Sequence, residues 1–126
     1  DIEKDYFYGF GEKTGTLNKL RRRLVQNAKD TLGYDPENSD PLYKHIPFYI
    51  KLNAETKHAI GLFYHNTYEA VFDMGVDHSN YHHRYSYYCA DGGDLDLFVI
   101  NGPSLAKVIE GYTSLTGKSA MLPAYA

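Results

Sequence analysis

The sequence contains no tryptophan, a single cysteine and no long apolar run. Without tryptophan, a carbohydrate-binding platform built on that side chain is excluded. A single cysteine cannot form an intramolecular disulfide, and Cys89, between Tyr88 and Ala90, is interpreted as a small buried residue rather than a nucleophile. No stretch approaches the roughly 18 apolar residues of a membrane span, and no secretory signal is recognisable. We therefore expect a cytoplasmic protein with no membrane partner.

Basic residues are too few for a nucleic-acid partner. The chain has 13 Lys and Arg against 16 Asp and Glu, a formal net charge of -3 and a pI near 6.0. Neutralising phosphates requires a coherent basic surface. The one basic run consists of Lys19 and residues 21–23, close to a glycine-rich turn. We expect it on a solvated strand edge or loop, where positive charge prevents edge pairing; the alternative is a charged contact with another domain.

What the sequence does have is enough apolar and aromatic residues for one globular domain. Its 126 residues are 43% hydrophobic and include 13 Tyr and 6 Phe. These broad rings favour strands, whose pleated surface accommodates them. The tyrosine-rich stretch 81–88 is expected to pack half-buried against an opposite sheet, and the alternative is a sugar-stacking platform. The chain is too short to contain both a sandwich and a barrel of about 250 residues.

Alternating apolar and polar residues predict a series of antiparallel strands. Turn formers crowd residues 33–41 and predict a long loop. Residues 53–57 predict the connection of a hairpin. The predicted strands in the first 80 residues cover residues 6–12, 24–25, 46–52, 59–64 and 70–72.

The last third of the chain predicts a hairpin and then a helix. The turn signal at residues 91–94, DGGD, predicts pairing between residues 83–89 and 95–100. Pro103 and Gly117 fit the usual asymmetry of helix termini. The apolar residues between them follow a helical period: Leu105, Val108, Ile109, Tyr112 and Leu115.

Several phrases of the sequence occur together in a recognisable order. They are YGFGE at residues 8–12, YKHIPFY at 43–49, LFVINGP at 97–103, YTSLTGK at 112–118 and LPAYA at 122–126. In this order and rough spacing they resemble the region that precedes the catalytic barrel in glycoside hydrolase family 31, the α-glucosidase and α-xylosidase family. The resemblance covers nearly the whole chain. It implies a mainly β fold, an antiparallel β-sandwich of the galactose mutarotase-like type with one C-terminal α-helix.

The resemblance also implies how the chain takes part in catalysis. Residues 1–126 would form part of the N-terminal β-sandwich domain, and the catalytic (β/α)₈ barrel is expected after residue 126. The family cleaves α-linked glucosides, xylosides and related sugars with retention, which uses two carboxyl groups about 5 to 5.5 Å apart, and both are Asp residues of the barrel. The chain is therefore expected to have no catalytic residue and to be inactive alone. Its expected partners are that barrel and, through it, an α-linked glucoside or xyloside; a homo-oligomer is left open, and no cofactor is expected.

One loop of the family's sandwich reaches the mouth of the active site and carries an Asp that hydrogen-bonds sugar hydroxyls. The matching position is Asp30, three residues before Gly33. A carboxylate suits this task because it accepts charge-assisted hydrogen bonds from two adjacent hydroxyls. Asn27 and Ala28 stand where the family more often has a Trp-Asn pair. The alternative is an Asp that bonds its own backbone.

Three histidines are considered as metal ligands. His78, His82 and His83, with Asp77 nearby, resemble a metal site. Adjacent histidines on a strand point to opposite faces, so we expect surface or interdomain histidines and no metal.

The first functional hypothesis is an accessory domain of a retaining α-glycosidase that contributes the loop 27–40 to the substrate entrance. The second is a stand-alone carbohydrate-binding or interaction module. Only the first requires a barrel encoded after residue 126.

Overall fold

The computed structural model describes residues 2–124, which form strands and a single helix at the C-terminal end. A short 3₁₀ turn, Ile2–Lys4, comes first. The elements that follow are β1 (Asp5–Gly11), β2 (Arg23–Gln26), β3 (His45–Asn53), β4 (Ala59–Tyr64), β5 (Ala70–Ser79), β6 (His83–Ala90), β7 (Leu97–Gly102) and α1 (Leu105–Thr116). The expected mainly β fold with one C-terminal helix is confirmed.

The strands form two antiparallel sheets that pack face to face. One sheet has four strands in the order β1-β3-β4-β7, and the other has three in the order β2-β5-β6. Side chains of both sheets meet in the main core: Phe7, Phe10, Leu24, Tyr49, Phe72 and Met74. Phe10 and Tyr49 stack with their ring centroids 4.9 Å apart. Because side chains alternate along a strand, these residues share the inner faces, as expected of a β-sandwich.

Helix α1 covers the outer face of the four-stranded sheet and creates a second, smaller core. Val108 is buried there with Phe48, Ile50 and Ala59. The ring of Tyr112 stacks on Phe48 with centroids 3.9 Å apart. The described chain is therefore three layers deep, with the larger sheet between the smaller sheet and the helix. The predicted helix is confirmed.

The hairpin predicted around residues 91–94 is wrong. β6 pairs with β5 and β7 pairs with β4, so the two strands lie in different sheets. The segment between them is bonded to the β4–β5 connection: Asp91 N–H donates to the Glu69 carbonyl at 2.9 Å, and Asn66 Nδ2 donates to the Gly92 carbonyl at 2.9 Å. These long-range bonds hold the segment between β6 and β7 where it crosses from one sheet to the other. The DGGD sequence itself is typical of a hairpin turn.

Strand β5 is much longer than the predicted strand 70–72. The prediction stopped where Asp73 interrupts the apolar pattern, but this residue is fully buried. Its carboxylate accepts hydrogen bonds from Gly75 N–H at 2.9 Å, Val76 N–H at 2.8 Å and the Arg23 guanidinium at 3.0 Å. Because the buried charge is compensated, the strand continues through a bulge and pairs with β6.

Two expectations about exposure are wrong. Lys19 is buried, because its ammonium group donates to the carbonyls of Thr14 at 2.8 Å and Thr16 at 2.5 Å. Arg23, from the same basic run, is exposed on β2, an edge strand of its sheet, as expected. Cys89 is exposed rather than buried, because it lies on the face of β6 that points away from the inter-sheet core.

Candidate functional site

Asp30 lies in loop 27–44, which joins β2 to β3, and a buried ion pair fixes the base of this loop. The Lys13 ammonium donates to Asp40 Oδ1 at 2.6 Å and to the Val25 carbonyl oxygen. Val25 N–H donates to Asp40 Oδ2 at 2.6 Å. The Lys13 side chain is only 1% exposed; burial lowers its pKa, and Asp40 opposes that shift. The end of the loop near β3 is thereby tied to β2.

Further hydrogen bonds tie the second half of loop 27–44 to the segment that follows β1. Thr14 Oγ1 donates to the Ser39 carbonyl at 2.6 Å. Gly15 N–H donates to the Pro36 carbonyl at 2.9 Å. Because these bonds join segments far apart in sequence, they hold the loop against the body of the sandwich.

Asp35 organises a turn at residues 35–38, in the middle of the loop. Its carboxylate accepts hydrogen bonds from Asn38 Nδ2 at 2.8 Å and from Glu37 N–H at 2.8 Å. These bonds, that of the Asn38 side chain first, hold the pKa of Asp35 below its ordinary value. Both carboxylate oxygens are engaged within the turn, so Asp35 serves the conformation of the loop.

Asp30 lies in the exposed first half of the loop, beside Tyr43. The Tyr43 hydroxyl donates to the Thr31 carbonyl at 2.9 Å, and the neighbouring Asp30 carboxylate raises the pKa of Tyr43. Within residues 2–124, no backbone N–H donates to the Asp30 carboxylate. Asp30 and Tyr43 form an exposed carboxylate–phenol pair, which has the chemistry to bind neighbouring hydroxyl groups.

A groove of about 490 Å³ opens where loop 27–44 leaves the sandwich, between the ends of the two sheets. Its volume falls in the range of small-molecule sites, about 300 to 1,000 Å³. Its lining comes from β2 and the start of loop 27–44, from β3, and from the end of β4 with the β4–β5 connection. It includes Gln26, Asn27, His45, Tyr64, Tyr68 and Glu69. Two buried polar atoms of this lining, Gln26 Oε1 and His45 Nδ1, have no hydrogen-bond partner within residues 2–124.

The groove combines a neutral floor with an acidic rim. Burial and the positive charge of Lys13 lower the pKa of His45, so its imidazole is neutral at pH 7. At the rim, Asn27 Nδ2 donates to Glu69 Oε2 at 2.6 Å. The exposed ring of Tyr68 adds an aromatic surface. These charges suit an uncharged ligand better than an anion.

The histidines considered as metal ligands are exposed at one end of the smaller sheet. His78 belongs to β5, His82 to the turn and His83 to β6. Residues 2–124 contain no group of three or more His, Cys, Asp or Glu placed to hold a metal ion. In the same part of the chain, no helix is long and apolar enough to cross a membrane.

The tyrosine-rich stretch 81–88 divides between core and solvent. Tyr88 packs on Tyr64 and Phe72, with ring centroids 4.3 and 4.9 Å apart. Tyr81, in the β5–β6 turn, is 91% exposed. The expected packing against the opposite sheet therefore applies to Tyr88, and the stretch as a whole does not form one flat platform.

Sequence reasoning identified Asp30 but missed Tyr43, Gln26 and His45 as candidate binding residues. Tyr43 and His45 both lie in the phrase at residues 43–49 that carried the resemblance. Treating polar residues inside that phrase as candidates would have found them. Nothing in the sequence distinguishes Gln26 from an ordinary strand residue.

Comparisons with known proteins agree with this architecture. Residues 2–73 match the family model described as the glycosyl hydrolase 31 N-terminal galactose mutarotase-like domain. The chain is 37% identical over 126 residues to alpha-glucosidase 2 of Bacillus thermoamyloliquefaciens, covering 98% of this chain and 15% of that protein. It is 31% identical to the alpha-glucosidase of Saccharolobus solfataricus, covering 98% of this chain and 17% of that protein.

A solved structure shows the same fold. The GH31 dextranase of Flavobacterium johnsoniae, complexed with glucose, matches with a TM-score of 0.80 and 34% sequence identity, over 94% of this chain and 13% of that chain. The chain thus spans less than a fifth of the length of each of these relatives.

Proposed function

The chain belongs to the glycosyl hydrolase 31 family, as its N-terminal galactose mutarotase-like domain, and from this membership we propose that it shapes the substrate entrance of a retaining α-glycosidase. The members of this family are glycoside hydrolases. The proposed substrate is an α-linked glucoside or xyloside, since relatives are named alpha-glucosidase and alpha-xylosidase. The catalytic barrel would be supplied by the same polypeptide.

The observation that supports this role is that loop 27–44 is anchored while the side chains of Asp30 and Tyr43 stay exposed. The Lys13–Asp40 ion pair holds the base of the loop. The residues on either side of Asp30 are held as well, because Lys29 N–H donates to the Leu42 carbonyl at 3.3 Å and Thr31 Oγ1 donates to the Pro41 carbonyl at 3.1 Å. Asp30 and Tyr43 lie in the exposed part. A carboxylate held in this way accepts hydrogen bonds from two sugar hydroxyls without a large loss of conformational entropy on binding.

Under this proposal the chain binds and positions substrate but does not cleave it. Retaining hydrolysis needs a nucleophile and a general acid/base about 5 to 5.5 Å apart, and we assign both to the barrel. The 126-residue chain alone is therefore expected to release no product from aryl α-glucosides or α-xylosides. Cleavage by the purified chain would contradict the proposal.

The decisive experiment compares Asp30→Ala with wild type in the full-length protein, using aryl α-glucoside and α-xyloside substrates. Loss of a charged hydrogen bond is expected to raise the activation free energy by about 1.5 to 3 kcal/mol, which lowers kcat/KM roughly 10- to 150-fold. Glu37→Gln is the matched control, because it removes a negative charge from the anchored half of the same loop. Unchanged kcat/KM in Asp30→Ala, with an active wild-type protein, would refute the role of Asp30 but not the family.

The second candidate is a stand-alone carbohydrate-binding or interaction module. It is favoured by the groove beside Gln26, which lies within the described chain and needs no barrel to form. Coding sequence downstream of residue 126 separates the two candidates. A barrel with Asp residues at its strand ends supports the accessory domain, whereas a stop codon supports the module.

A further inference from the structure

The groove between the sheet ends contains a polar group that the fold does not use. Gln26 is 5% exposed, and its Oε1 atom has no partner within residues 2–124. Its Nε2 atom makes only a long bond, 3.5 Å, to the Phe10 carbonyl. A buried amide oxygen without a partner destabilises a protein relative to an apolar side chain of similar shape. Such a group needs a partner from outside the fold, which is a bound water, an ion or a ligand.

His45, which lines the same groove from the other sheet, has a second unpartnered atom. His45 Nδ1 is buried and has no hydrogen-bond partner in the described chain. The imidazole is neutral, because burial and the charge of Lys13 lower its pKa. A neutral imidazole offers a donor on one ring nitrogen and an acceptor on the other. Gln26 and His45 come from β2 and β3, so the two sheets together build the floor.

The apolar part of the lining suits the non-polar face of a sugar ring. Phe63 and Tyr64 contribute aromatic side chains, and Tyr68 stands at the rim. Ring contacts hold Tyr64 in place, since its centroid lies 4.3 Å from that of Tyr88 and 5.0 Å from that of Phe72. Recognition by a few polar groups among aromatic walls is typical of small-molecule sites.

We infer that this groove binds one uncharged glycosyl unit, with the ring packed against Tyr64 and the Gln26 and His45 side chains turning toward its hydroxyl groups. This inference rests on the proposed function and extends it. The groove lining includes Ala28, and two extended residues span at most about 7 Å. Asp30 is therefore close enough for one oligosaccharide to contact the loop and the groove together. The Glu69 carboxylate at the rim disfavours phosphorylated sugars.

The test is a titration of the ¹⁵N-labelled 126-residue chain with maltose and with isomaltose, followed by NMR. We expect saturable, millimolar binding with shifts at residues 26–28, 45 and 64–69, and no equivalent binding of glucose 6-phosphate. Gln26→Leu should weaken binding about tenfold, the effect of one lost hydrogen bond, while Tm stays unchanged or rises. His58→Leu, at the opposite end of β3 and β4, is the matched control and should bind as wild type.

A second variant guards against local unfolding at Gln26. Tyr68→Leu removes the exposed aromatic ring but keeps an apolar side chain over Gly92 and Gly93, and should weaken binding without lowering Tm. Absence of saturable shifts with both sugars, or equal affinity of Gln26→Leu and wild type, would overturn the inference. These results are independent of the Asp30→Ala kinetics: an active parent with an Asp30 effect but no binding in the groove would leave the proposed function standing alone.

Discussion

Lys13 is the residue on which the geometry of loop 27–44 depends most. Lys13→Met would leave the Asp40 carboxylate, which is 10% exposed, without its counter-ion. Removing one partner of a buried pair typically costs about 3 to 5 kcal/mol. We therefore expect a loss of that size in the free energy of unfolding, measured by urea denaturation of the chain.

Lys29→Met is the control for this prediction, because Lys29 is an exposed lysine in the same loop. Exposed substitutions usually change stability by less than about 0.5 kcal/mol. If the two variants are equally stable, the Lys13–Asp40 pair does not anchor the loop, and the argument for a pre-formed Asp30 site loses its support.

His45 gives the protein a predictable response to acid. Burial, and then the charge of Lys13, place its folded-state pKa below that of the unfolded chain. The folded state therefore binds this proton less readily, so stability is fully present above the unfolded pKa of about 6.5 and is lost as pH falls from there through the folded pKa. We expect Tm to fall more steeply on acidification in wild type than in His45→Gln.

The measurement is calorimetry of both proteins across mildly acidic buffers, with His58→Gln as the exposed control. His58→Gln should keep the wild-type dependence of Tm on pH. Parallel curves for wild type and His45→Gln would show that His45 is protonated equally in the folded and unfolded states.

The sequence showed which side chains could bind a ligand or carry charge, but not which of them are buried or which residues they contact. Asp30 was predicted because the family resemblance extends to its loop, and its neighbour Tyr43 was not predicted. Lys19 was placed in solvent because its run is basic, but carbonyl groups from a turn converge on its ammonium. Gln26 and His45 meet across two sheets, and such a contact leaves no local signal in the sequence.

At the scale of elements, the helix packs on the sheet through a glycine. A Cβ added at Gly61 would lie 2.5 Å from Val108 Cγ1 and 2.9 Å from Phe48 Cε2. Overpacking of this kind costs typically about 1 to 3 kcal/mol. We expect Gly61→Ala to lower the free energy of unfolding by such an amount in urea denaturation.

Combining Gly61→Ala with Val108→Ala separates overpacking from a change in strand propensity. The smaller side chain on α1 makes room for the added methyl group, so the double variant should be more stable than the sum of the two effects predicts, by about 0.5 kcal/mol or more. Strict additivity would mean that α1 does not approach Gly61 as closely as the structure shows.

Local patterns predicted single elements well and their pairing less well. The helix was predicted from a 3.6-residue period and two terminal residues, which are local signals. The DGGD turn was equally strong locally, yet β6 and β7 belong to different sheets. The deciding interactions, from Asn66 and Glu69 to the segment after β6, lie more than 20 residues away in sequence.

At the scale of the whole molecule, the larger sheet is only partly covered. Val99 on β7 pairs with Leu62 on β4, and Leu62 packs against the inter-sheet core. Opposite residues on paired strands share a face, so Val99 points toward the smaller sheet. It is nevertheless 63% exposed. The smaller sheet therefore does not extend over β7, and this apolar surface is available for association.

Helix α1 adds a second uncovered apolar surface. Of the predicted apolar stripe, Val108 is buried, but Leu105, Ile109 and Leu115 are exposed. A stripe predicted from periodicity says which residues share a helix face, but not how much of that face a given sheet covers. We propose that the catalytic barrel covers the remainder in the full-length protein.

The isolated chain should self-associate through these uncovered surfaces, because exposed apolar patches drive association in water. Sedimentation velocity over a range of concentrations should show a weight-average mass that rises with concentration. Val99→Lys and Ile109→Lys should each shift the distribution toward monomer. Ala106→Lys, an exposed site on the same helix, adds the same charge outside the apolar stripe and should leave association unchanged. A wild-type chain that stays monomeric at high concentration would show that these surfaces are too small to need a partner, and would remove the physical argument for a covering barrel.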